Sequence, residues 1–381
     1  MSIKILHVIT GLNNGGAEAV LCRLAIADQQ YGNQHHVVSL MDRGIYADRL
    51  EQAGVAVSTL NLPRGRVTWS GLVGLYKLLR QVRPDVVQTW MYHADLIGGV
   101  VARLAGIKAI AWGIRHANHD PAHNSRVTLL IARICAGLSN WVPAKIISCS
   151  VKATQLHQTL GYCSDKFINI PNGYALENLK PGAQARRAVR EELAISSDAF
   201  VVGMVARFDP QKDHQNLISA LAQVKQSGRQ FVCLLVGVGM DTGNARLLAQ
   251  LDAAGITADV KLLGARNDIP AVMNALDVHV LSSLGEAFPN VLAEAMACGT
   301  PCVTTDVGDA IWIVGAHGWV VSPRKPAALA EGLLKAQTLF EKDPQAWQAL
   351  QHACRAHIMD NFELSQMCKR YRDAWQMCVQ A

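Results

Sequence analysis

The chain alternates between two hydrophobic periodicities. Short runs of aliphatic and β-branched residues, "IKILHVI", "HHVVSLM", "DVVQTWM", "KAIAWGIR", "KIISCS" and "FINI", read as buried strands. "GVAVSTLNL" adds a strand with polar alternation. Between them lie longer stretches with apolar residues three and four apart. These are "AEAVLCRLAIADQQYG" ending at Gly32, "WSGLVGLYKLLRQVRP" stopped by Pro84, "HADLIGGVVARLAG", "RVTLLIARICAGL" and "VKATQLHQTLG". The spacing predicts helices, closed by glycine or proline.

Residues 171–182, "PNGYALENLKPG", interrupt this rhythm and read as an interdomain linker. Then the alternation resumes. "FVVGMVAR", "QFVCLLVGVG", "DVKLLG", "VHVLSS", "PCVTTDV" and "GWVV" read as strands; "HQNLISALAQVKQSG", "DIPAVMNAL", "NVLAEAMACG" and "PAALAEGLLKAQTLF" read as helices. The remainder to Ala381 is mainly helical. Strand–helix alternation on both sides of the linker predicts an α/β protein of two doubly wound, Rossmann-like domains in tandem. Ligands of such sheets bind beyond the carboxyl ends of the strands. A cleft between the domains, lined by strand-to-helix loops, is therefore the expected site.

Composition narrows this only slightly. Half of the 381 residues are hydrophobic, yet Gly, Arg, Asn or Pro breaks every apolar run before the roughly 20 residues of a membrane span. "MSIKILHVIT" enters a strand directly without a small-residue cleavage site, so no signal peptide is expected. Ten scattered cysteines without a CxxC pair fit reduced, buried thiols of a cytoplasmic protein rather than a disulfide framework or zinc site. Charge is uneven. Residues 1–180 hold 18 Lys and Arg against 10 Asp and Glu, while the rest holds 18 against 20. A basic first half suits a phosphate-bearing substrate or an anionic membrane surface, or is simply a solvated basic surface. With no basic tract or base-stacking aromatic cluster, nucleic acid is not expected.

Three stretches carry candidate chemistry. In "TGLNNGGAEAV", Gly15 and Gly16 precede a helix, where glycine permits close backbone approach and free N–H groups favour an anion. The spacing is not the dinucleotide fingerprint, and alone it equally describes a tight turn. In "MVARFDPQKDHQNL", Arg207 follows a strand and Lys212 precedes a helix. Together they would clamp a diphosphate, or each is an ordinary surface charge. In "GEAFPNVLAEAMACG", Glu286 sits in a loop and Pro289 suits the start of a helix. Val291, Leu292, Ala295 and Met296 share one helix face, and Glu294 projects about 130° from its middle. By helix geometry alone Glu294 is a solvated outer position.

In combination these features resemble the retaining glycosyltransferases of family 4 with the GT-B fold. The resemblance covers nearly the whole chain and is most specific at 285–303, with support from "IPNG" at 170–173 and "LLVGVG" at 234–239. It implies an acceptor-binding domain over 1–172, a nucleotide-sugar-binding domain over 173–360 and a helix over 361–381 that returns to the first domain. Carried over residue by residue, Glu294 matches the acid that accepts from the ribose hydroxyls, and Glu286 the acid near the donor sugar. Arg207 and Lys212 match the pair that neutralises the diphosphate. Main-chain N–H groups around Phe288, Asn290 and Val291 would meet phosphate and sugar oxygens. Gly237, Gly239 and Arg266 fit the nucleoside pocket, and Gly16 the close approach to the diphosphate. The family also places a polar group after a mid-sheet strand of its first domain. Here "AWGIRHANHD" offers His116 foremost, then Arg115, with Asn118 and His119 beside them. His93 and Asp95 in "WMYHADLIGG" are acceptor-side candidates.

The resemblance implies retention by front-face attack assisted by the leaving phosphate, and so needs no carboxylate nucleophile, unlike retaining glycosidases. No Asp-x-Asp occurs in the chain, in keeping with a site without metal or other cofactor. The donor would be UDP- or GDP-linked. The acceptor would be a glycan, or one linked to undecaprenyl diphosphate, in bacterial surface polysaccharide or lipopolysaccharide synthesis at the inner membrane face. "GEAFPN" departs from the common pattern of glycines and a second aromatic, so Ala287 and Asn290 bear on sugar choice. The segment 126–143, "RVTLLIARICAGLSNWVP", with Arg126, Arg133 and Trp141 at its margins, is either an interfacial helix on an anionic membrane or a cover for the sheet. A nucleotide-sugar 2-epimerase and a non-catalytic sugar-nucleotide-binding protein are the rival readings. The first would need carboxylates poised to abstract a proton, and the intact Arg207, Lys212, Glu286 and Glu294 argue against the second.

Overall fold

The computed structural model describes residues 2–13, 15–117 and 125–380. The chain forms two compact units, Met1–Gly173 with Leu364–Ala381, and Tyr174–Glu363.

In the first unit the elements run β1 Lys4–Ile9, α1 Gly16–Asp28, β2 Gln34–Ser39, α2 Ala47–Gln52, β3 Ala56–Thr59, α3 Trp69–Val82 and β4 Val86–Trp90. They continue with α4 Tyr92–Leu104, β5 Ile110–Ile114, α5 Arg126–Leu138, β6 Lys145–Ser148, α6 Val151–Thr159 and β7 Phe167–Asn169. The strands form one parallel sheet in the order β3-β2-β1-β4-β5-β6-β7. Ile5 of β1 registers with His35 on one side and Val86 on the other. The central strands are buried on both faces, which is why they read as continuous apolar runs. One face is covered by α1 and α2, through Leu21, Leu24 and Leu50. The other carries α3, α4 and α5, whose Leu75, Val101 and Cys135 pack over Val87 and Trp112.

The second unit runs α7 Ala183–Glu192, β8 Val201–Val205, α8 His214–Gln226, β9 Val232–Val236, α9 Ala245–Ala253, β10 Val260–Leu262 and α10 Ile269–Ala275. After these come β11 Val278–Leu281, α11 Asn290–Ala297, β12 Cys302–Thr305, α12 Ala310–Val314, β13 Gly318–Val321, α13 Pro326–Lys342 and α14 Pro344–Phe362. Its parallel sheet has the order β10-β9-β8-β11-β12-β13. The last helix, α15 Leu364–Val379, belongs to the first unit and buries Met367, Tyr371 and Trp375 in the core shared with α1.

The expected α/β architecture of two parallel doubly wound sheets is the one observed. Four helices escape the sequence pattern: α2, α7, α9 and α12. The helix at 290 begins one residue later than expected, with Pro289 extended as its N-cap. All ten cysteines are free thiols, nine of them buried.

Candidate active site

In each sheet the strand order reverses beside the first strand, and the loops that leave the carboxyl ends there diverge to opposite faces. The reversal opens a crevice, the usual ligand site of this architecture. In the second unit the crevice lies between β8 and β11, and both candidate loops leave from it. After β8 the chain passes Arg207 and makes a tight turn over Pro210–Lys212. Asp209 holds this turn by accepting from the Gln211 N–H at 2.9 Å and from Arg207 Nε at 3.1 Å. Burial works to raise the Asp209 pKa, but these hydrogen bonds prevail and hold it below the ordinary value. Asp213, left-handed at φ 48°, then caps α8 by accepting from the Asn216 N–H.

The loop after β11 is sewn onto this turn. The Leu284 N–H donates to Gln211 O at 2.8 Å, and Ser282 Oγ donates to the carbonyls of Lys212 and Asp213 at 2.9 and 3.0 Å. These bonds bring Lys212 Nζ to 2.5 Å from Glu286 Oε1, which also accepts from the buried Ser283 hydroxyl at 2.7 Å. Both charged side chains are mostly buried. Arg207 is different: its side chain is 60% exposed and donates from Nε to Asp209. The two loops thus carry the Lys212 ammonium paired with the Glu286 carboxylate, and the exposed Arg207 guanidinium held by the Asp209 carboxylate.

Glycines let neighbouring loops close on this group. A Cβ on Gly308 would lie 2.4 Å from Glu286 O, and one on Gly237 would lie 2.2 Å from Ala206 O. Gly237 (φ 141°) and Gly239 (φ 79°) also sit in backbone conformations that favour glycine. Phe288 is buried edge-on against Phe362, with ring centroids 5.7 Å apart. Asn290 Oδ1 accepts from Tyr174 OH at 2.6 Å, so a residue of the linker segment braces the start of α11. Pro289 provides no side-chain cap to α11, and the Leu292 N–H turns back to Pro289 O at 3.1 Å. Val291 is half-buried.

Glu294 and Arg266 are the remaining donor-side candidates. Glu294 is half-buried, not the solvated outer position that helix geometry alone gives. α11 packs on α10, α12 and α14 as well as on the sheet, so Ala293 and Ala297 are buried too and the helix has no wholly wet face. Arg266, expected in the nucleoside pocket, is engaged by two acids. Its guanidinium is bidentate to Glu192 at 2.6 and 3.0 Å and bound twice to Asp268 at 2.8 and 2.6 Å, which raises its pKa further.

The first unit has its own reversal, between β1 and β4. Gly16 opens α1 behind the extended N-cap Gly15. The Glu18 carboxylate folds back so closely that a Cβ on Gly15 would lie 2.3 Å from its Oε2. Burial raises the Glu18 pKa. The sequence reading missed this residue; the signal was an acid in the first helical turn after two glycines. His93 stands half-buried in the first turn of α4, its pKa lowered by burial. His116 is half-buried and meets Tyr92 edge-on at 6.3 Å. Asn118 and His119 lie outside the described residues.

The acceptor-side assignment of Asp95 needs correcting. In the first turn of α4 the residue is fully buried, and its Oδ1 accepts from Thr89 Oγ1 of β4 at 2.5 Å and the Gly113 N–H of β5 at 3.2 Å. Burial raises its pKa to about 8. It braces the sheet and presents nothing to a ligand. Arg115 is similarly engaged. It donates to Asn172 Oδ1 at 2.6 Å and to Tyr371 OH, with its guanidinium 4.6 Å from the Trp90 ring centroid. It ties α15 to the end of β5 rather than reaching for an acceptor. Among the described residues no group of three or more His, Cys, Asp or Glu is arranged to hold a metal ion.

Comparison with known proteins agrees with this architecture. The Glycosyltransferase Family 4 pattern matches residues 14–178, and the Glycosyl transferases group 1 pattern matches residues 199–338. The chain is similar to the Escherichia coli UDP-Gal:alpha-D-GlcNAc-diphosphoundecaprenol alpha-1,3-galactosyltransferase, 24% identical over 80% of this chain and 78% of that one. It is also similar to the putative glycosyltransferase EpsF of Bacillus subtilis, 28% identical over 80% and 79%. Among solved structures, Anabaena HepE in complex with UDP and glucose superposes with a TM-score of 0.84 at 25% identity, covering 97% of this chain and 98% of that one.

Proposed function

Because this chain belongs to the family 4 glycosyltransferases, with the group 1 pattern across its second unit, we propose that it takes a hexose or N-acetylhexosamine from a nucleotide-diphosphate sugar, with retention and without a metal ion. The proposed acceptor is a glycan on a lipid diphosphate in bacterial surface polysaccharide synthesis, met by a peripheral protein at the cytoplasmic membrane face. The observation that carries this reading is the Lys212–Glu286 pair that joins the two loops of the β8–β11 crevice, with Arg207 held by Asp209 on the first of those loops. The E. coli relative named for a UDP-linked donor and a diphosphoundecaprenol acceptor, and the UDP bound by HepE, support the donor and acceptor classes. UDP is the proposed nucleotide.

The chemistry follows from the charges. Breaking the anomeric C–O bond leaves positive character on the sugar and negative charge on the diphosphate. Arg207 and Lys212 stabilise that leaving charge more as it develops, so they lower the barrier rather than only binding substrate. Lys212 is paired with Glu286 until donor arrives. An incoming diphosphate competes for the ammonium and frees Glu286 Oε1 for a sugar hydroxyl, so one exchange of partners orients both ends of the donor. The acceptor oxygen then bonds to the anomeric carbon on the face the diphosphate leaves, and its proton passes to the departing phosphate oxygen. The two protein cations supply the counter-charge that a divalent metal provides in other transferases. Glu294, one helical turn beyond Asn290, is the proposed ribose acceptor of hydrogen bonds.

The test is a panel of UDP and GDP sugars with and without a lipid-diphosphate acceptor, following nucleotide release, product anomer by NMR and the effect of EDTA. Release of UDP, an α-anomer from an α-donor and full activity in EDTA are expected. No sugar nucleotide binding would end this reading, and an inverted product would end its mechanism.

A further inference from the structure

We infer that the outer surface of the α3–α4–α5 layer is a docking face for an anionic lipid bilayer; this deepens the proposed lipid-linked acceptor reading by naming the surface that meets the lipid. The layer lies on one face of the first sheet, with α4 packed between α3 and α5. α5 turns Ala132, Cys135 and Ala136 inward. Its opposite side is apolar as well: Val127, Leu130 and Ile134 are 61%, 57% and 41% exposed. On a helical projection these three fall within a stripe about 60° wide. Exposed Arg126 and Arg133 run along one border of it. A sheet cover needs only its inner face apolar, so the outer stripe calls for a second partner.

Trp141, in the turn after α5, is 73% exposed. That turn is held firmly. Lys166 Nζ donates to the carbonyls of Ser139, Asn140 and Pro143 at 3.0, 2.6 and 2.8 Å, and Arg103 Nε donates to Val142 O at 2.8 Å. A large indole is therefore presented to solvent on backbone fixed by two cations. On α3, Trp69 and Tyr76 are exposed beside Lys77 and Arg80. Among the described residues, eight of 17 exposed large hydrophobic side chains lie between Val67 and Trp141.

Charge identifies the partner. From Leu62 to Pro143 the chain carries ten Lys and Arg but only Asp85, Asp95 and Asp120 as acids. Asp95 is buried, Asp85 accepts from the Lys4 N–H at 2.7 Å at the foot of the sheet, and Asp120 is outside the described residues. A face that pairs apolar stripes and interfacial aromatics with cations, without a compensating acid among its described exposed residues, complements a uniformly negative surface that admits side chains to shallow depth. No described helix is long and apolar enough to cross a membrane, so the contact is peripheral.

The experiment floats the full chain with vesicles of phosphatidylglycerol in phosphatidylcholine and, separately, of phosphatidylcholine alone. Wild type, Leu130→Gln/Ile134→Gln and Arg126→Gln/Arg133→Gln are compared, with transfer to a short water-soluble acceptor measured in parallel. Wild type is expected to float with anionic vesicles, at least tenfold less with neutral ones and less at high salt. The apolar double variant loses more than tenfold, and each arginine removed costs about fivefold. All three proteins should transfer equally to the soluble acceptor. Failure to bind vesicles, binding that both variants retain, or a stable dimer broken by the same substitutions would overturn the docking face. Vesicle binding without transfer to any acceptor would instead sink the proposed activity and leave the face standing.

Discussion

Lys212 and Glu286 neutralise one another in a mostly buried pair, yet the proposed reaction needs each for a different part of the donor. Removing one therefore does two things: it deletes a contact and leaves the other charge partly buried without its partner. Lys212→Ala and Arg207→Ala are each expected to lower kcat by about 10²–10³-fold, the usual loss of one preorganised stabiliser of developing charge. KM for the donor should change less, because the stabilised charge is greatest in the transition state. Initial rates at saturating donor check this, and an unchanged kcat for Arg207→Ala would remove it from the leaving-group site. Ser283→Ala, which takes one hydrogen bond from Glu286 Oε1, should cost about tenfold. Asp95 tests burial rather than catalysis. Its carboxyl, ordinarily near 3.8, is raised to about 8, chiefly by desolvation and against the hydrogen bonds from Thr89 and Gly113. Below the unfolded pKa both states hold the proton. As pH rises toward 8 only the unfolded chain ionises, so stability falls by up to about 1.4 kcal/mol per pH unit. Asp95→Asn, which still accepts both hydrogen bonds, should lack that component. The difference in urea midpoint between the two proteins from pH 5 to 8 reads it directly.

At the scale of elements, α15 is joined to its unit by polar bonds as much as by its apolar face. Arg372 Nη1 donates to Asp28 Oδ1 at 2.8 Å, and Asp28 Oδ2 lies 3.2 Å from His35 Nε2. His35 Nδ1 lies 2.9 Å from His7 Nε2, and Trp90 Nε1 donates to His7 Nδ1 at 3.2 Å. Indole can only donate, so His7 must carry its proton on Nε2, and His35 likewise donates from Nε2 to Asp28. Burial, and then His35, lowers the His7 pKa well below the ordinary value, in keeping with a neutral His7 ring. Arg372→Ala is expected to cost about 3 kcal/mol, because it leaves the buried Asp28 carboxylate short of its cation. Adding Asp28→Asn should recover part of that loss, and hydrogen exchange across α15 would show both effects. This relay was not legible in sequence, since its members come from β1, β2, β4, α1 and α15. The strands were legible, because double burial writes a continuous apolar run. α7 was not: "AQARRAVREE" buries only Val189 and Arg190, and its place is set by Arg186 and Arg190 bound to Asp277 at 2.5 and 2.8 Å. The site was legible in the same uneven way. Lys212 read as half of a diphosphate clamp or as a surface charge and Glu286 as a loop acid, and only the family resemblance joined them. The physical cause of their meeting is the strand order that puts β8 beside β11.

The whole chain is two cores with one return. The second unit's core is built from its own segment, through residues such as Leu217, Leu235, Val280 and Leu333. The first unit's core is completed from the far end of the chain, where Met367, Cys368, Tyr371, Ala374, Trp375 and Cys378 join Leu21, Trp90 and Ile147. Trp375 also donates to Gln88 Oε1 at 3.1 Å, inside the sheet. Burying each large apolar side chain is worth about 1.5–3 kcal/mol, and a domain's whole stability is about 5–15 kcal/mol. Deleting residues 364–381 therefore removes an amount comparable to everything that holds the first unit folded, while touching none of the Arg207, Lys212 and Glu286 contacts. The truncated chain should lose protease resistance across 2–173 and keep it across 174–363. UDP at a hundred times its Kd should still stabilise the second unit by about 2.7 kcal/mol. Limited proteolysis and calorimetry with and without UDP separate the outcomes. Survival of the first unit would show that α15 is an accessory cover, and loss of UDP stabilisation would show that the nucleotide needs more than the second unit.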